Sequence, residues 1–71
     1  MNKEEKKYKT QRGFTRIDFK DLYNQECSIQ ESSNIIPSIW IGVGTDRMIL
    51  DRKMARRIGN RLLWFGYGGK I

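Results

Sequence analysis

The chain has 71 residues, of which 38% are hydrophobic and 31% charged; its mean hydropathy is -0.68 and its net charge +6. That length makes one small domain, whose core supplies about 3–5 kcal/mol and therefore needs a staple or a partner. A single cysteine, Cys27, excludes an internal disulfide and the absence of histidine removes the commonest zinc ligand, so a homo-oligomer is the expected support.

Residues 1–12 read as a flexible basic arm. Lys3, Lys6, Lys7 and Lys9 stand among acids, and Tyr8 is the only large apolar group. So little apolar surface cannot offset the entropy of ordering, about 1–2 kcal/mol per residue. Removing residues 1–11 is expected to leave the fold intact. Residues 13–71 are read as a single α+β domain.

In Thr15 to Lys20, Ile17 and Phe19 alternate with charges, the period of a half-buried strand. Asn24-Gln25-Glu26 reads as a polar turn. Cys27 to Ser33 alternates again, with Cys27 and Ile29 on one face and Ser28, Gln30 and Ser32 on the other. Asn34 to Pro37 is a connection, and the proline suits the start of a strand. Ser38 to Val43 is the clearest strand: Ile39, Ile41 and Val43 face one way, Ser38, Trp40 and Gly42 the other. Gly44-Thr45-Asp46 is a turn. Arg47 to Leu50 follows as a short strand, with Met48 and Leu50 toward the core and Arg47 and Ile49 away from it.

Asp51 is a good N-cap for a helix over Arg52 to Phe65. Met54, Ile58, Leu62 and Phe65 form its apolar stripe, and Lys53, Arg57, Arg61 and Trp64 a basic side that Arg52 and Arg56 extend. Gly66, Gly68 and Gly69 supply a left-handed C-terminal cap. The expected fold is a small antiparallel sheet of three to four strands with one C-terminal amphipathic helix packed on one face.

Charge is uneven: +4 over residues 1–20, -3 over residues 21–50 and +5 over residues 51–71. Two basic ends fit an anionic partner, whether a nucleotide, nucleic acid or an acidic surface. Cys27 has no histidine to activate it, and the acids show no metal-ligand spacing. No enzyme, no metal and no cofactor are expected, and Cys27 reads as a buried strand residue. No apolar run is long enough to span a membrane, and no segment has the pattern of a signal peptide.

The sheet face away from the helix displays hydroxyls, an amide, a tryptophan plane and an arginine, which is the equipment for a nucleobase and a phosphate. The candidate ligand-binding residues are Arg47, Ser32, Ser33, Gln30, Trp40 and Arg52. Trp40 and Ile49 also admit the reading of a subunit interface. The helix side offers a second surface, suited to a phosphate backbone.

Phe19, Asp21 and Tyr23, then Cys27-Ser-Ile-Gln30, Ser32-Ser33, Ile39-Trp-Ile-Gly42 and Arg47-Met-Ile-Leu50, precede an amphipathic helix and a final Gly69-Lys-Ile71. This succession, covering residues 13–71, resembles a widespread family of small phage and prophage proteins. Ile49 departs from the histidine of that pattern and Asn24 from its glycine. The family is similar to the phage sponge proteins of the anti-CBASS class. That resemblance implies a small homo-oligomer in the host bacterial cytoplasm that sequesters a cyclic nucleotide immune signal without turnover. The alternatives are a nucleic-acid-binding phage accessory protein and an anti-CRISPR-like inhibitor that acts through protein contacts.

Overall fold

The computed structural model describes residues 5–33 and 36–71, apart from the side chain of Ser33. Five strands form one sheet: β1 (Lys6–Lys9), β2 (Thr15–Lys20), β3 (Glu26–Ser33), β4 (Pro37–Val43) and β5 (Asp46–Asp51). They lie in the order β1-β2-β3-β4-β5, every neighbouring pair antiparallel. One helix, α1 (Arg52–Gly66), completes an α+β fold. Part of the connection after Ser33, like residues 1–4 of the arm, lies outside the described residues. Among the described residues no helix is long and apolar enough to cross a membrane.

The sheet has one strand more than the three to four expected, and the addition comes from the arm. Lys6 to Lys9 pair with Asp18 to Thr15, although all four residues of β1 are exposed. Backbone pairing and polar cross-strand contacts hold this strand, not burial: the Tyr8 hydroxyl donates to Asp18 Oδ2 at 2.8 Å and Lys9 Nζ to Thr15 Oγ1 at 3.0 Å. Composition concealed it because edge strands are commonly lysine-rich, which discourages pairing with other chains. The expected outcome of deleting residues 1–11 changes accordingly. The truncated chain should retain β2–β5 but melt at a lower temperature and aggregate more readily, because β2 becomes a bare edge. Thermal melts with light scattering read both effects.

Each turn has a local cause. Gly13 takes φ +86 in the β1–β2 connection, where its N–H donates to the Thr10 carbonyl at 2.9 Å. The β2–β3 turn is built on Asp21, whose Oδ1 accepts from the N–H groups of Tyr23 and Gln25 at 2.9 and 2.8 Å. Asn24 occupies the left-handed region there, a conformation asparagine tolerates. Glu26, assigned to the turn by its polarity, is instead the first residue of β3. Gly44 and Thr45 form a two-residue hairpin loop between Val43 and Asp46, with Gly44 at φ +61.

Asp51 pairs with Ser38 as the last residue of β5 and caps α1, accepting from Met54 N–H at 2.8 Å. Strand and helix therefore share a residue, with no loop between them. This junction explains the main departure from expectation. The helix covers little of the sheet: it touches only β4 and β5 and buries none of its residues. A helix that folds back onto its own sheet normally follows a connection of about 2–6 residues. The core is correspondingly thin. Leu50 and Cys27, 6% and 8% exposed, are the buried apolar side chains among the described residues, whereas Met48, expected in the core, is 51% exposed. At the far end of α1 the chain turns back with Gly68 at φ +97, and Trp64 Nε1 donates to the Lys70 carbonyl at 3.1 Å. Gly69 lies against the indole ring so closely that no Cβ would fit between them.

Candidate functional site: the polar face of the sheet

Register assembles the site. Tyr8, Arg16, Gln30, Trp40 and Ile49 are aligned across all five strands, and Lys6, Asp18, Ser28, Gly42 and Arg47 form the next row. Side chains alternate along a strand, so both rows project from the same face of the sheet. The apolar residues Ile17, Ile29, Ile41 and Met48 form a row on the opposite face. The hydrophobic alternation in sequence foretold this division.

At the centre of the polar face Arg47 lies over Trp40, with its guanidinium carbon 4.0 Å from the ring centroid. The two residues sit on neighbouring strands in adjacent rows, a diagonal within reach of long side chains. Stacking covers one plane of the guanidinium and leaves its N–H edge available to an anion. Arg47 makes no salt bridge among the described residues. Gly42, beside Arg47, keeps the surface low there: a Cβ at that position would come within 2.7 Å of Ser28 Oγ.

Arg16 is held differently. Its Nε donates to Asp18 Oδ1 at 2.8 Å, the one salt bridge among the described residues, and its Nη1 donates to Gln30 Oε1 at 3.3 Å. Gln30 is thereby oriented with its carbonyl toward Arg16, leaving its amide N–H groups as donors. The Arg16 hydrogen bond, aided by that from Tyr8, holds the Asp18 carboxyl below its ordinary value against the opposing effect of partial desolvation. The bond to Asp18 raises Arg16, and it likewise raises the Tyr8 hydroxyl, which loses its donated hydrogen bond on ionising. A carboxylate with a depressed pKa in the folded state contributes stability above its unfolded pKa. That contribution is lost as pH falls through the folded value. Melting temperature should therefore decline on acidification below about pH 4, and Asp18→Asn should flatten that part of the profile.

Two hollows flank Trp40. One, of about 130 Å³, is lined by Arg16, Ser28, Gln30, Arg47 and the Gly44-Thr45 loop. The other, of about 440 Å³, is lined by Gln30, Ser32 and Phe14 together with Thr10, Gln11 and Arg12 of the β1–β2 turn. The indole is a wall of both. The arrangement offers a stacking plane, an arginine edge, an amide donor and a hydroxyl within one shallow surface.

Of the candidates drawn from the sequence, Gln30, Trp40 and Arg47 are brought together and Ser32 lies at the margin. Ser32 is buried at 8%, and its carbonyl accepts from Ser38 Oγ at 3.4 Å. Arg52 does not join them. It lines a separate cleft of about 410 Å³ at the sheet corner, with Ser32, Ser38, Leu50 and Ala55. Ser33 pairs with Pro37, one step out of the alternation that Ser28, Gln30 and Ser32 share, and its side chain is outside the described residues. Arg16, Tyr8 and Phe14 were missed. Their signal was present only as alternation within β2 and in the arm, and their relation to Trp40 depends on strand order. Cys27 is buried with its Sγ donating to the Gln25 carbonyl at 3.6 Å, in agreement with the reading of a buried strand residue.

The basic side of α1 is fully displayed: Arg52, Lys53, Arg56, Arg57 and Arg61 are exposed, and the helix carries no acid. Comparison of the chain with protein-family models, with curated proteins and with solved structures finds no match.

Proposed function

We propose that the chain is a non-enzymatic binding protein that sequesters an anionic nucleotide-type ligand on the polar face of its sheet. The ligand class is a cyclic nucleotide or cyclic oligonucleotide. The biological setting is a phage protein acting as a homo-oligomer in the host bacterial cytoplasm, where capture of such an immune signal blunts anti-phage defence. The observation that carries the reading is the Arg47–Trp40 stack, with Gln30 and Ser28 beside it. A nucleobase fits the free surface of an aromatic plane, a phosphate fits the guanidinium edge, and amide and hydroxyl groups recognise polar base edges. The net charge of +6 favours an anion at long range. Sequestration needs no general base or nucleophile, and the chain has no histidine to serve as either.

The test is isothermal titration against a panel of cyclic di- and trinucleotides, with chromatography of the nucleotide released afterwards. Micromolar or tighter binding with recovery of unaltered ligand supports the reading. Absence of binding across the panel overturns the ligand class, and a converted nucleotide overturns sequestration.

The exposed, acid-free basic side of α1 favours a second reading, contact with a nucleic-acid backbone. Several phosphate contacts would make that affinity fall steeply with salt, whereas a ligand with two or three phosphates on the sheet would respond weakly. Titration of short DNA at two salt concentrations separates the two. The Arg57→Ala, Arg61→Ala double variant should then reduce DNA binding and leave cyclic nucleotide binding unchanged.

A further inference from the structure

Among the described residues no element packs over the apolar side of β2 and β3, where Ile17 and Ile29 are only half-buried. Ile17, Ile29, Ile41 and Met48 lie side by side across four strands, and α1 reaches over only β4 and β5. The stripe of α1 is also uncovered, with Leu62 64% and Phe65 66% exposed. The Asp51 junction provides no loop in which the chain could reverse, and α1 meets its own sheet only at β4 and β5.

Area gives the scale. The chain exposes 6484 Å², whereas a compact monomer of 8.4 kDa exposes about 4,600 Å². Residues 1–4, 34 and 35, which lie outside the described residues, account for at most about 1,000 Å² of the difference. About 900 Å² per chain is left, or about 1,800 Å² for a pair, which falls within the standard interface range of about 1,200–2,000 Å². Dimensions also agree. The Met54-to-Phe65 stripe is about 16 Å long at the helical rise, and the Ile17-to-Met48 row is about 14 Å across at the strand spacing. By register the apolar face carries Glu31 and Asp46 at opposite ends and Lys7 and Lys9 on its β1 edge, so Lys53, Arg57 and Arg61, on one side of the helical stripe, are complementary to the β3–β5 part of that face.

We propose that two copies of the chain associate face to face through the apolar side of the sheet, the α1 stripe of each copy lying on the Ile17–Ile29–Ile41–Met48 row of the other. The interface is isologous, because each copy gives a helix and receives one. It specifies the oligomer of the preceding reading and moves the contact from Trp40 and Ile49, where the sequence had suggested it, to the opposite face. The polar face of each copy stays open.

Sedimentation equilibrium of the full chain between about 1 and 100 μM tests the proposal, together with its melting temperature over the same range. The expected results are the mass of two 8.4 kDa chains at the upper end and a melting temperature that rises with concentration. Leu62→Glu with Phe65→Glu changes side chains that are mostly exposed within one chain, so it should raise the dimer dissociation constant at least ten-fold. A monomer with concentration-independent melting overturns the proposal. A dimer that survives the double variant, or a larger assembly, also overturns it. If the double variant fails to fold, the concentration dependence of the unaltered chain decides. Titration with cyclic nucleotide is a separate readout: a dimer that binds none refutes the ligand reading alone, and a monomer that binds refutes this one alone.

Discussion

Leu50→Ala is expected to leave the chain largely unfolded at room temperature. Leu50 is 6% exposed, pairs with Ile39 and sits at the sheet corner beside Ala55 of α1, where β5 passes into the helix. Truncating a buried leucine to alanine costs about 2–5 kcal/mol, through lost burial and the cavity left behind. A single core of this size holds about 3–5 kcal/mol, so one such loss consumes most of it. Circular dichroism and urea titration give the measurement. Leu22→Ala is the control, because Leu22 is 90% exposed in the β2–β3 turn and its truncation should move stability by less than about 0.5 kcal/mol. A Leu50→Ala chain with an unchanged urea midpoint would show that the thin core is not where this fold is held.

The second large effect is expected on binding. Arg47→Ala should weaken the affinity for a bound cyclic nucleotide ten-fold or more, since truncating a charge-assisted phosphate contact costs about 1.5–3 kcal/mol. Stability should hardly respond, because Arg47 is exposed and a stack at such a site is worth about 0.5–1 kcal/mol. Arg47→Lys is the informative intermediate. It keeps the charge but loses both the planar stack and the two-pronged hydrogen bonding, so part of the affinity should be lost with it. Titration calorimetry and thermal melts on the same preparations distinguish the outcomes. Unchanged affinity in Arg47→Ala removes the residue from the site, and a collapse in melting temperature makes it structural.

Sequence alone determined whatever depends on neighbours along the chain. The alternation in β2 to β5, the capping aspartate at the start of α1, the helical span and the left-handed glycine after it were all legible. Each follows from the preference of a residue and its few neighbours, and the period of two placed Cys27 to Gln30 with Ser32, and Ser38 to Val43, on the faces that the register gives them. The polar-face residues of β3, β4 and β5, among them Ser28, Gln30, Trp40 and Arg47, were therefore legible, and those of β1 and β2 were not. Only the tertiary structure decided which of them meet. Strand order placed Arg16 and Tyr8 in line with Gln30 and Trp40, although they are separated from Trp40 by 24 and 32 residues of chain. It also drew Lys6 to Lys9 into the sheet, because an edge strand needs one paired neighbour and no apolar content. The helix shows the same limit. Its stripe told that α1 is amphipathic, but the loopless junction at Asp51 decided that within the chain it meets only β4 and β5. Where a chain segment points after an element ends is set by backbone geometry at the junction, and no pattern of residue types within the helix encodes that direction.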